Sequence, residues 1–235
     1  QEDFAKAHIP GAIHASIEDF RTKDKYLAPV ADLEKTLGSL GIREDSWVVA
    51  YDEKDGRNAT WLWYTLHQLG HVRFSLLDGN MRDFKDELEG GTDRKPEATT
   101  YVARKQPVDL AWVKGHQDEV VLLDSRPIEQ FTGEKPKKDM KAGHIPGSVH
   151  FHRSDLLKEN GSFLSVDEAK ALDKVKSLPK DKPIVVFCNT YHDGAHMHWQ
   201  LARLGFTNIK AWDGGFAEYT ADDSLPLEMG EGGDQ

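Results

Sequence analysis

The sequence has a single cysteine, Cys188, among its 235 residues. One thiol excludes an internal disulfide framework and leaves the redox compartment undetermined. Long apolar runs are missing too: none approaches the roughly 20 residues that cross a bilayer. Acidic residues outnumber basic ones, 40 to 30, for a formal net charge of -10. That balance removes the long-range attraction on which binders of nucleic acid or anionic membrane rely, so neither is an expected partner. No charged leader followed by an apolar segment stands at Gln1, and a soluble protein of the cytoplasm or of a bacterial periplasm is expected. Hydrophobic residues at 38% and charged residues at 30% suit a folded chain able to bury a core.

What is present is a repeat. Ala7-His8-Ile9-Pro10-Gly11-Ala12-Ile13-His14 returns as Gly143-His144-Ile145-Pro146-Gly147-Ser148-Val149-His150, an offset of 136. Trp47-Val48-Val49-Ala50-Tyr51-Asp52 corresponds to Ile184-Val185-Val186-Phe187-Cys188-Asn189, two short apolar runs that end in polar residues and read as buried strands. A helical stretch closing on Leu-Gly follows each, from Trp61 to Gly70 and from Ala195 to Gly205. A further strand and turn complete each copy, before Asp78-Gly79-Asn80 and before Asp213-Gly214-Gly215. Strands alternating with helices imply an α/β fold with a mainly parallel sheet in each unit. The boundaries read as 1–90 for the first domain, 91–107 for a linker and 108–235 for the second. Val120 to Arg126 supplies the second copy with an opening strand, whereas seven residues precede His8. The first domain is therefore expected to lack its first strand and to carry an exposed edge.

Cys188 stands where a buried strand ends and a helix is about to begin. Backbone N–H groups of such a loop, with the positive end of the helix, stabilise an anion and are expected to hold the thiol as a thiolate near neutral pH. A thiolate there can take up soft sulfur as a persulfide and pass it on by double displacement. The alternative is an inert buried thiol. A cysteine phosphatase is not expected, because Gly194 stands where Cys-x5-Arg requires arginine.

The paired His-Ile-Pro-Gly segments, Leu123-Asp124-Ser125-Arg126, Phe187-Cys188-Asn189-Thr190 and Trp212-Asp213-Gly214-Gly215 together resemble the tandem-domain rhodanese family, the thiosulfate and 3-mercaptopyruvate sulfurtransferases. The resemblance implies two rhodanese-like domains, the first silent because Asp52 stands near the cysteine position, with the active site between them. It implies Cys188 as nucleophile, with Arg126, Asn189, Thr190, Tyr191, His192 and Asp193 as substrate-binding residues. For Arg126 the competing role is an ion pair with a neighbouring carboxylate. The implied partners are a small anionic sulfur donor and a thiophilic acceptor such as cyanide or a thiol. No cofactor or metal is called for, and a monomer is compatible with the sequence.

The loop departs from its family. Relatives usually carry glycine at the position of Tyr191, and thiosulfate-preferring ones carry basic residues beside the cysteine. Asp193 instead brings negative charge, and Gln130 stands where many relatives have a second substrate-binding arginine. His192 can replace part of that lost charge. A non-catalytic sulfur-binding or sensing protein is the competing function, and the grouping of His192, His196 and His198 with Cys188 is a weaker metal reading.

Overall fold

The computed structural model describes every residue except 1, 25, 78–83, 85, 86, 92, 93, 105–107, 191 and 232–235. The turn at Asp78-Gly79-Asn80 and the candidate site residue Tyr191 lie outside the described residues. The chain divides into two compact units, Gln1–Gln106 and Pro107–Gln235.

The first unit contains α1 (Glu2–Lys6), α2 (Val30–Ser39), β1 (Val48–Ala50), α3 (Arg57–Gln68) and β2 (Phe74–Leu76). The second contains α4 (Leu110–His116), β3 (Val121–Asp124), α5 (Ile128–Phe131), β4 (Val149–His150), α6 (Val166–Ala171) and α7 (Asp173–Ser177). It continues with β5 (Ile184–Phe187), α8 (His192–Arg203), β6 (Ile209–Ala211) and α9 (Gly215–Thr220).

In the second unit four strands pair in parallel in the order β4-β3-β5-β6. Parallel pairing needs crossovers, and these cover both faces of the sheet, which is why β5 is apolar without alternation. Successive side chains still point to opposite faces. Leu123, Ile184 and Val186 meet Leu156, Met197 and Leu201 on one side, while Leu122, Val185 and Phe187 meet Val113, Trp212 and Phe216 on the other.

The first unit repeats the centre of this plan. β1 pairs in parallel with β2, and the bonds Val48 N to Arg73 O and Leu77 N to Ala50 O match Ile184 N to Asn208 O and Trp212 N to Val186 O. This match places Asp52 at the position of Cys188. Val49 is 60% exposed where its counterpart Val185 is fully buried, and Trp47 beside it is 70% exposed. The layer of aromatic and aliphatic side chains that covers Val185 has no counterpart among the described residues of the first unit.

The repeated histidines have one structural role in both copies. His8 stacks on Phe4 and His144 on Phe131 with centroids 4.1 and 3.9 Å apart. Each Nδ1–H donates to the carbonyl of the ring it covers, at 2.9 and 3.0 Å. Each backbone also exchanges two hydrogen bonds with a glutamate near the end of its unit, Glu89 or Glu228. The His-Ile-Pro-Gly turn is thus a latch that ties an earlier loop of each unit to a later segment of the same unit.

The segment read as a linker is partly built into the first unit. Thr99 donates through its amide to Gly38 O and through Oγ1 to Ile42 O, Ala103 N donates to Glu34, and Arg104 N donates to Leu69 O. Tyr101 is buried. Its composition of Pro, Gly and charge hid a strap whose backbone groups are satisfied by α2 and the end of α3.

Arg126 has an ion-pair partner in the fold. Its side chain is buried, and Nε donates to both oxygens of Asp124 at 3.0 and 2.9 Å. Nη2 donates to Asp124 Oδ2 at 2.6 Å and to Gly143 O at 2.9 Å, and the guanidinium lies 3.5 Å from the centre of the Phe216 ring. Of the two roles weighed for Arg126, the ion pair is the one whose contacts the structure shows. Removing one partner leaves the other charge uncompensated in the interior. Arg126→Ala is therefore expected to lower unfolding stability by about 3–5 kcal/mol in urea titrations; unchanged stability with weakened donor binding would restore the substrate-binding role.

Candidate active site

Three strand ends build the site. β5 delivers Cys188, and the carbonyl of Phe187 just before it accepts from Ser125 N at 2.9 Å and Ser125 Oγ at 2.8 Å. The loop after β6 closes from the other side: Phe216 N donates to Cys188 O at 2.8 Å and Ala217 N to Asn189 O at 3.1 Å. Gly215 makes this approach possible. Its φ is +50°, and a Cβ there would collide with the Cys188 carbonyl oxygen.

The backbone amides of Thr190, Asp193 and Gly194 donate toward the Cys188 sulfur, the last two from the first turn of α8. This is the anion-stabilising arrangement expected at a strand-to-helix loop. The first unit supplies an internal control. Asp52 Oδ1 accepts from Lys54 N at 2.9 Å and Gly56 N at 3.0 Å, and Oδ2 from Asn58 N at 2.9 Å and Ala59 N at 3.2 Å. Counted at the offset of 136, Lys54 and Asn58 stand where Thr190 and Gly194 stand in the second unit. A carboxylate therefore fills in one copy the amide cradle that surrounds a thiol in the other.

The thiol itself departs from expectation. Burial, reinforced by the negative charge of Asp193, pushes Cys188 up to about 12, although the three amides oppose the shift. Desolvation acts on the whole charge of a thiolate and outweighs three partial positive charges. Desolvation therefore favours the neutral form of the sulfur, against the pull of the loop amides.

The other candidate residues divide. Asn189 Nδ2 donates to Gln130 Oε1 at 2.8 Å, so the residue standing in for the lost arginine is held against the loop by an uncharged contact. Asn189 Oδ1 is buried with no hydrogen-bond partner among the described residues. Thr190 contributes its amide, and His192 is half-buried as the first residue of α8. The Asp193 carboxylate accepts from Arg153 Nε at 2.8 Å, and both side chains are 15% exposed. Among the described residues no group of three or more His, Cys, Asp or Glu is arranged to hold a metal ion.

Sequence reasoning missed Arg153, His150 and His152. Arg153 opens a 3-10 turn, Arg153–Leu156, just beyond β4. His150 Nε2–H donates to the carbonyl of Arg126 at 2.8 Å. Burial lowers the pKa of both histidines, with Asp193 opposing the shift at His152. The repeat held a usable signal, since the 136 offset pairs Arg153 with Ile17 and Asp193 with Arg57. Both ends of the ion pair change between copies, as the cysteine does.

Comparison with known proteins gives the same picture. The rhodanese-like domain matches twice, at residues 1–87 and 109–222. The chain is 28% identical over 240 residues to a 3-mercaptopyruvate sulfurtransferase of Escherichia coli K12, covering 97% of this chain and 85% of that protein. It is 27% identical over 233 residues to a thiosulfate sulfurtransferase of Gallus gallus, covering 93% and 80%. Among solved structures, Tum1 from Saccharomyces cerevisiae aligns with a TM-score of 0.83 at 22% identity, over 98% of this chain and 86% of that one. YnjE aligns with a TM-score of 0.88 at 23% identity over 98% of this chain, which spans 60% of YnjE. With the family matched across both halves and the cysteine in its loop only in the second, the chain belongs to the rhodanese-like domain family as a tandem pair.

Proposed function

We propose that this protein is a sulfurtransferase in which Cys188 takes a sulfur atom from a small donor, holds it as a persulfide, and passes it to cyanide or a thiol. The supporting observation is the pair of matched loops. In the first unit the equivalent amides hold a carboxylate, which is the charge a persulfide brings. The sulfurtransferase names of relatives that span nearly the whole chain support the same reaction class.

The buried neutral thiol favours 3-mercaptopyruvate over thiosulfate as donor. Attack by Cys188 on the donor sulfur forms the S–S bond and breaks the donor C–S bond, releasing the enolate of pyruvate. The proton lost by Cys188 goes to the enolate carbon, so thiol plus 3-mercaptopyruvate gives persulfide plus pyruvate with no external acid or base consumed. Thiosulfate is a dianion whose sulfite leaving group needs no such proton, and it would approach a loop that carries Asp193 and lacks arginine at Gln130. In this reading Asn189, Thr190 and His192 orient the donor, and Asp193 borders its site. A nucleophilic attack by an acceptor on the outer sulfur then restores the thiol and completes the cycle.

Two measurements test the assignment. Sulfide or thiocyanate release should proceed with 3-mercaptopyruvate at a kcat/KM at least about tenfold above that with thiosulfate, equivalent to about 1.4 kcal/mol of transition-state discrimination, and Cys188→Ser should reduce both to background. Equal turnover by Cys188→Ser sinks the reading. Alkylation of the resting enzyme by iodoacetamide should accelerate through pH 9 and 10 without levelling, because the neutral thiol persists toward the value of about 12; a plateau reached near pH 7 would show a thiolate instead.

A further inference from the structure

We propose that Arg153 is a positioning residue for the Cys188 loop, neutralising the Asp193 carboxylate so that the amide cradle can accept negative sulfur. The inference rests on the reading of Cys188 as nucleophile, and deepens it.

Asp193 has two opposed effects. Its backbone amide is one of the three that donate to the sulfur, while its side-chain charge works against a negative sulfur. A carboxylate in the first turn of α8 also interacts favourably with the helix N-terminus, so it draws on the same positive end that the sulfur uses. Arg153 reduces this conflict. Its Nε holds Asp193 Oδ1 at 2.8 Å in a largely buried pair, where screening by solvent and salt is weak. The 3-10 turn that carries it is fixed to the sheet through β4, and Lys174 Nζ pairs with Asp155 of the same turn at 2.7 Å. Asp193 is thereby tied to a rigid element, and its amide is held in place with it.

The first unit shows the arrangement without this device. Asp52 fills the cradle, Arg57 stands at the position of Asp193, and Ile17 stands at that of Arg153. The copy with a fixed anion has a cation at the helix start; the copy with a sulfur that must gain and lose charge has an acid there, paired with Arg153. With the pair intact the Arg153 guanidinium offsets part of the Asp193 charge that the sulfur feels.

Because Cys188 is the only cysteine, alkylation reads this local charge without any sulfur donor. The ratio of rates with iodoacetate and iodoacetamide reports the potential at the sulfur, and a loosened loop alters both rates together. Arg153→Gln should lower the ratio by about threefold or more and Asp193→Asn should raise it by a similar factor. The double variant and Arg153→Lys should each stay within about twofold of the parent protein. An unmoved ratio in Arg153→Gln and Asp193→Asn, or a shift in the same direction in both, overturns the proposal. If Arg153→Gln fails to fold by circular dichroism, Asp193→Asn decides alone, and an unchanged or lowered ratio there overturns it. The ordered ratios without sulfur uptake from any donor would refute the transferase reading and leave the electrostatic role standing; sulfur transfer with flat ratios would do the reverse.

Discussion

The structure of the second unit depends on one junction, where β5 ends and α8 begins around the Cys188 sulfur. Three amides converge there, and every neighbouring element is bonded to hold them: Ser125 on the Phe187 carbonyl, Phe216 on Cys188, Ala217 on Asn189. A cradle of this kind stabilises negative charge without lysine or arginine touching it, and the charge need not be permanent. The burial that makes the cradle effective also keeps the resting thiol protonated. The same desolvation thus sets both the resting state and the strength of the amide contacts once negative sulfur is present.

The two copies show how one cradle serves two ends. In the first unit the carboxylate of Asp52 saturates it permanently, and the loop becomes structure. In the second the occupant is a sulfur that can be exchanged, and the surrounding charges are arranged in pairs. Arg126 with Asp124 is a buried strut beneath the loop, and Arg153 with Asp193 is a clamp beside it. Both arginines are engaged with carboxylates, and the contact at the position of the lost arginine is the amide pair of Gln130 and Asn189.

Much of this was legible in the sequence. The repeat set the order of strands and helices because each copy repeats the same alternation of apolar run, polar loop and helix, and the strand-to-helix position of Cys188 followed from it. What escaped were effects that depend on distance rather than order. Arg126 is two residues from Asp124, a spacing that the sequence shows, but its burial under Phe216 appears only when β3 and α9 are folded together. Arg153 lies 40 residues from Asp193 and meets it only across the sheet. The raised thiol pKa has the same origin, since burial is a sum over the whole unit and the loop motif reports only the amides. The packing of 94–104 onto the first unit was also out of reach, because proline and charge are as common in a packed strap as in an open linker.

The central claim is that Cys188 carries the transferred sulfur, and the most direct measurement is intact and peptide mass after brief exposure to 3-mercaptopyruvate without acceptor. The account predicts a gain of one sulfur atom, located on the peptide containing Cys188, removed by cyanide and absent from Cys188→Ser. Release of pyruvate with no added sulfur on that peptide would contradict it.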